Sequence, residues 1–157
     1  MADRGPTTDT AEGMQRVMDM VSQDHGLAVI TTTRADGSVQ ASVVNAGVLD
    51  HPVDGSPVLG LVAQGGSAKL RHLRARPRLT AVLRAGWEWV AVEGGVELAG
   101  PDDRLEGVEG DALRLLLRDI FLAAGGAHAD FDEYDRVMAE ERRVAVLVRP
   151  ERVYGVG

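Results

Sequence analysis

Apolar residues at Met14, Val17, Met18 and Val21 recur at the i, i+3, i+4, i+7 spacing of one helical face, within "TAEGMQRVMDMVSQDHG". Gly26 supplies the stop. The period then changes. Two β-rich runs, Leu27–Arg34 and Val39–Leu49, flank "ADGS", whose Asp36-Gly37 pair offers the positive φ angles of a tight hairpin turn. A second turn, "DHPVDGSP", leads into a strand over Val58–Ala63. "GGSAKLRHLRARP" reads as a short helix with Ser67 as N-cap, Leu70 and Leu73 on its buried stripe and Pro77 as its end. Beyond it, "LTAVLRA" is a strand. "WEWVAVEGGVELAG" is a longer one, with Val90, Val92, Val96 and Leu98 at period two around a β-bulge site at Gly94-Gly95.

Pro101 opens a polar segment. "DALRLLLRDIFLAAGG" then has the pattern of a helix with a glycine C-cap. "DFDEYDRVMAEER" is a second helix, N-capped by Asp130 or Asp132, with Tyr134, Val137 and Met138 turned inward. "RVAVLVRPERVYGV" returns to β and is expected to break at Pro150 into two strands. This order lacks the regular βαβ alternation of a doubly wound sheet. It predicts a mainly β fold, a small and largely antiparallel β-barrel with peripheral α-helices. Residues 1–10 are expected to form a flexible N-terminal segment and 11–157 a single domain.

Composition removes several chemistries. There is no cysteine, so disulfides, thiolate catalysis and cysteine-ligated metal are excluded. No stretch approaches the roughly 20 apolar residues of a membrane span, and "MADRGPTTDT" has no apolar leader core. A cytoplasmic protein with no membrane partner is expected. The formal net charge of −7 argues against a nucleic-acid partner.

That charge is uneven. Gly55 to Gly86 contains Lys69, Arg71, Arg74, Arg76, Arg78 and Arg84 and no acid, a local +6 that leaves −13 for the remainder (−7 minus +6). A discrete anionic ligand would explain such a zone. Lys69 in the first turn of its helix adds a cation to the positive end of the helix dipole, unfavourable by a few tenths of a kcal/mol unless an anion is present. Backbone N–H groups behind the glycines, the Ser67 hydroxyl and Lys69 together have the makings of a phosphate cradle. Arg71, Arg74, Arg76 and Arg78 could hold further anionic groups. The competing explanation is an ordinary surface helix with a solvated arginine face. Neither GxxxxGK[ST] nor GxGxxG occurs, so nucleoside triphosphate chemistry and Rossmann dinucleotide binding are unsupported.

Trp87 and Trp89, two apart, are expected on one face of a strand, as a wall over a ligand or as a core or interface anchor. The four histidines match no metal-ligand spacing, and the acids in "HADFDE" are ordinary helix-start residues, so no metal site is expected. No catalytic dyad or triad is legible from spacing.

Taken together, "LAVITTTRADGSVQASVVN", "SAKLRHLRARPRLTAVL" and "WVAVEGGVEL" resemble the flavin and deazaflavin oxidoreductases of the pyridoxamine 5′-phosphate oxidase-like superfamily. The likeness runs from about Leu27 to Leu98 and more loosely through the tail, and leans to the coenzyme F420-dependent branch. It implies an FMN-binding-like split β-barrel, an obligate homodimer and cofactors in grooves between protomers. It assigns the cofactor ring to Ser42, Val43, Val44 and Asn45, and the phosphate to Ser67, Ala68 and Lys69. Members often carry Arg where this chain has Ser67, so one phosphate contact is expected either to be weaker or to come from Arg71 or Gln64. They often carry Asn at the position of His72. The activity implied is hydride transfer between reduced coenzyme F420 and an unsaturated small molecule. An FMN-dependent oxidase or reductase, and a non-catalytic cofactor or tetrapyrrole carrier, are the alternatives. In hydride transfer the cofactor carries the chemistry, so a missing catalytic motif does not count against an enzyme.

Overall fold

A computed structural model describes residues 7–8 and 10–156. In chain order the elements are β1 (Thr7–Thr8), α1 (Thr10–Gln23), β2 (Leu27–Thr33), β3 (Val39–Asp50), β4 (Pro57–Ala63) and α2 (Ala68–Ala75). β5 (Arg78–Ala85), β6 (Glu88–Ala99), α3 (Asp111–Ala123), α4 (Phe131–Glu140) and β7 (Val144–Val156) complete the chain. Of the segment 1–10 expected to be flexible, Thr7–Thr8 pair with β7 and Thr10 begins α1, while the rest lies outside the described residues.

Every strand pairing is antiparallel. The order β7-β4-β3-β2-β5-β6 closes through a further β6–β7 ladder, giving a six-stranded barrel, with β1 added outside β7. The hairpin turn behaves as its residues require. Asp36 accepts hydrogen bonds from the amide and hydroxyl of Ser38, and Gly37 has φ +87°.

β7 departs from the sequence expectation. It is one strand of 13 residues and runs straight through Pro150. The missing proline N–H falls where the β6–β7 register slips between Glu93 and Gly94, so that Pro150 stands opposite Gly94 and Glu151 is the extra residue. A bulge was expected at Gly94-Gly95, and this is it, with the inserted residue on the partner strand. Gly94 is required there, because a Cβ would collide with the carbonyl of Arg149.

The core has two parts, sorted by strand alternation. Val144, Val146 and Val148 of β7 face the barrel interior, with Leu59 and Leu61 of β4, Met14 and Val17 of α1, and Leu70 and Leu73 of α2. Ala145 and Leu147, with Val58 of β4, face outward and are covered by Leu116, Leu117 and Ile120 of α3 and Tyr134 of α4. The unbroken apolar run "VAVLV" is thus buried on both faces, because a helical hairpin covers the outside of β4 and β7. Each fully buried leucine in these clusters contributes about 1.5–3 kcal/mol of transfer free energy.

Candidate functional site

The helical hairpin leaves a gap beside α2. A cavity of about 450 Å³ opens where the middle of β3, the end of β4, the start of α2, the end of α3 and the inner face of α4 converge. Its lining includes Val43, Val44 and Asn45 of β3, then Gln64, Ser67 and Lys69 at the α2 entrance. These six residues, separated by up to 26 positions in sequence, were singled out from sequence as cofactor contacts.

Close approach of two loops shapes the entrance. Gly65 donates its amide to the carbonyl of Glu141 at 3.2 Å. A Cβ on Gly65 would lie 2.7 Å from the Arg142 carbonyl, so only glycine permits the contact. The α4–β7 junction is thereby held against the turn that opens α2, which sets Arg143 on the same cavity as Lys69.

The α2 entrance is under-satisfied. Ser67 stands at the N-cap position with extended dihedrals (φ −68°, ψ 153°), but its hydroxyl makes no capping hydrogen bond. The expectation that Ser67 caps α2 therefore holds for its place and fails for its bond. Its Oγ is shielded from solvent and has no partner. The Lys69 side chain, half-buried, has no acidic or hydrogen-bonding partner among the described residues. The first-turn N–H groups of α2 have no intrahelical acceptor. An unpaired cation and a residue with an orphaned hydroxyl thus meet at one cavity, beside the N-terminus of a helix, and an anion's oxygens would satisfy both.

The remaining cations correct the sequence picture. Arg74 makes a two-pronged ion pair with Asp103, at 2.8 and 2.7 Å, and Arg78 pairs with Glu151 at 2.5 Å. The paired carboxylates hold both guanidinium groups further above their usual pKa, by hydrogen bonding first. Arg71, Arg76 and Arg84 reach the carbonyls of Gly66, Thr33 and Gly86. The local +6 of Gly55 to Gly86 is thus partly neutralised by acids far away in the chain, which no sequence window can register. Of these six cations, only Lys69 lines the cavity.

The other sequence candidates lie elsewhere. Ser42 pairs with Ile30 across the β2–β3 ladder and shares its inward face, and Ala68 is the first residue of α2; neither lines the cavity. Arg71 is exposed. The two tryptophans do not share a face, because β6 begins at Glu88 and Trp87 sits in the preceding turn, 96% exposed. Trp89 is half-buried, its ring edge-on to Tyr154 with centroids 6.1 Å apart. His72 has a clear role, since its Nδ1 lies 2.9 Å from Oγ1 of the buried Thr32 and ties α2 to β2. Among the described residues, no group of three or more His, Cys, Asp or Glu is placed to share a metal ion.

The far wall of the cavity escaped the sequence. Ile120, Phe121 and Ala124 come from α3, Tyr134 and Met138 from α4, and Arg143 from the start of β7. The rings of Phe121 and Tyr134 lie 4.9 Å apart. The Tyr134 hydroxyl donates to the Leu117 carbonyl at 3.0 Å, and burial pushes its pKa up. Tyr134 and Met138 were legible as inward-facing, being four apart on one helix face. Arg143 was not, since "EERR" reads as solvated charge; Glu141 holds its guanidinium at 3.0 Å.

No known family profile matches the chain. Solved structures share its fold. A conserved hypothetical protein from Mycobacterium tuberculosis is 21% identical with a TM-score of 0.65, over 99% of this chain and 87% of that one. A structure named F420 reductase is 19% identical with a TM-score of 0.55, over 86% and 94%. A pyridoxamine 5′-phosphate oxidase-related, FMN-binding protein from Nostoc punctiforme is 13% identical with a TM-score of 0.61, over 94% and 84%. The chain has the split β-barrel fold of these proteins.

Proposed function

We propose that the protein is an oxidoreductase of the flavin-type split-barrel class, with coenzyme F420 as its cofactor and an unsaturated small molecule as hydride acceptor. The observation that carries this reading is the orphaned Ser67 hydroxyl beside the unpaired Lys69 at the start of α2. These residues fit a phosphate. Ser67 and the first-turn amides of α2 donate to its oxygens, and Lys69 balances its charge. Val43 and Val44 offer an apolar surface to a ring, with Asn45 and Gln64 at its polar edge. Bound there, a deazaflavin would supply the hydride, and Val43, Val44, Ser67 and Lys69 would position it. Arg143, on the same cavity as Lys69, offers a second anchor for a cofactor with more than one anionic group, and so favours coenzyme F420. The nearby ion pairs of Arg74 and Arg78 favour the simpler alternative, FMN with its single phosphate.

A second copy of the chain completes the site in this reading. Val29 and Val43 are cross-strand partners on the outer face of β2–β3, 43% and 65% exposed, and Val43 also lines the cavity. A partner docked on that face would cover both residues and narrow the cavity mouth.

Titration of the purified protein with coenzyme F420 and with FMN at rising salt tests the assignment. Tighter F420 binding that weakens with salt is expected. Equal or tighter FMN binding overturns the F420 assignment, and no binding of either overturns the oxidoreductase reading.

A further inference from the structure

Behind the first cavity lies a second, of about 230 Å³, between α3 and α4. Leu113 and Leu117 of α3 and Met138 and Ala139 of α4 give it a largely apolar lining. It is a cleft open on one side, with room for about seven water molecules. Its charged neighbours are mostly occupied with one another. Arg114 reaches Asp135 at 3.1 Å, and Asp135 is also bound by Arg118. Little inside would hold ordered water.

The two cavities share a wall. Met138 and Arg143 line both, and the Tyr134 hydroxyl, on the first, bonds the carbonyl of Leu117, on the second. Met138 is unbranched and adaptable, a side chain that yields to a ligand at low cost. Arg143 is the cation at the junction, and its Nε and Nη2 both donate to a single oxygen of Glu141, at 3.2 and 3.0 Å. Both members of that pair are partly exposed, 26% and 34%, so an incoming carboxylate can exchange for Glu141.

We infer that the second cavity binds a straight apolar chain of about seven carbons whose anionic head rests on Arg143 at the junction with the first. The lining sets the chemistry of the chain, the volume its length and the guanidinium its head. Ala139, exposed and on the lining, marks the open side. The inference does not rest on the Ser67–Lys69 anion site, and an occupant of the first cavity that itself used Arg143 would compete with the anionic head.

Calorimetric titration of the cofactor-free full chain with straight-chain alkanoates, butanoate to dodecanoate and below micelle-forming concentrations, tests it. Affinity should rise about fourfold for each added methylene, the increment for burying one such group, and level off near octanoate. Ala139→Phe, which fills the chamber from its open side, should flatten the series. Leu113→Phe does the same from α3 if the first variant fails to fold. Arg143→Gln should lower every affinity about tenfold and leave the slope intact. A flat series in the unaltered protein overturns the inference. So does a slope that survives the filling variants, or indifference to Arg143→Gln. None of these outcomes touches the Ser67–Lys69 reading, since no cofactor is present in any of them.

Discussion

The amide of Gly65 donates to the carbonyl of Glu141 at 3.2 Å, joining two segments 76 positions apart. This one contact brings the glycine turn before α2 against the start of β7, and Lys69 and Arg143 onto one cavity. If a cofactor binds at this cavity, its affinity should therefore respond to the packing of the α3–α4 hairpin. Gly65→Ala tests the link. A Cβ overlapping the Arg142 carbonyl should destabilise the fold by about 1–3 kcal/mol and weaken cofactor binding in the same variant. A variant with normal thermal stability and normal binding would show the contact to be dispensable.

Ser67 and Lys69 should separate stability from binding. Loss of a working N-cap usually costs about 0.5–2 kcal/mol. The Ser67 hydroxyl makes no cap bond, so Ser67→Ala should leave the denaturation midpoint within about 0.5 kcal/mol of the parent while weakening cofactor binding. Lys69→Ala should weaken it by roughly 1.5–3 kcal/mol, the scale of a charge-assisted hydrogen bond. Unchanged affinity in a folded Lys69→Ala protein would make Lys69 an ordinary surface residue.

Gly94 governs closure of the barrel. Gly94→Ala would drive a methyl group into the Arg149 carbonyl at the bulge where Pro150 crosses. A loss of about 3 kcal/mol or more is expected, read from chemical denaturation, because strand pairing and not a loop absorbs the strain. A loss under 1 kcal/mol would mean that the β6–β7 register is not as described.

Both tyrosines should ionise late. Burial raises the Tyr134 pKa, and a hydrogen bond with Glu93, helped by burial, raises that of Tyr154. A raised folded-state pKa contributes stability that is fully present below the unfolded value of about 10 and disappears as pH climbs through the folded value. Spectrophotometric titration should find less tyrosinate at pH 10 in the native protein than in denaturant, where about half is ionised. Half-ionisation at pH 10 in both states would contradict the burial of Tyr134.

Trp87 reports on the exposure of the β5–β6 turn. At 96% exposed in a lone chain, its fluorescence should be open to an ionic quencher, and Trp87→Phe should remove most of the quenchable signal. Its replacement should shift stability by no more than about 0.5 kcal/mol. Sedimentation over a concentration series then tests the proposed pairing through Val29 and Val43. A chain that stays monomeric at every concentration removes the second copy from the site.

Local physics was legible in the amino-acid order. Alternation and helical periodicity placed every strand from β2 to β6 and all four helices, because period, turn residues and caps act over a few neighbours. The family resemblance pointed to Val43, Val44, Asn45 and Gln64, and together with the charge pattern at the helix start to Ser67 and Lys69; these six residues line one cavity. Pro150 misled because its cost depends on a partner strand: a bulge at Gly94 lets β7 pass, and nothing beside Pro150 says so. The arginines misled for the same reason, since Asp103 and Glu151 neutralise two of them across 29 and 73 positions. The aromatic wall of Phe121 and Tyr134, the shared Met138 and the cation at Arg143 exist as a site only once the helical hairpin is laid against β4 and β7. Pairing energies and cavity shapes are sums over contacts distant in sequence, and only the folded chain fixes which contacts those are.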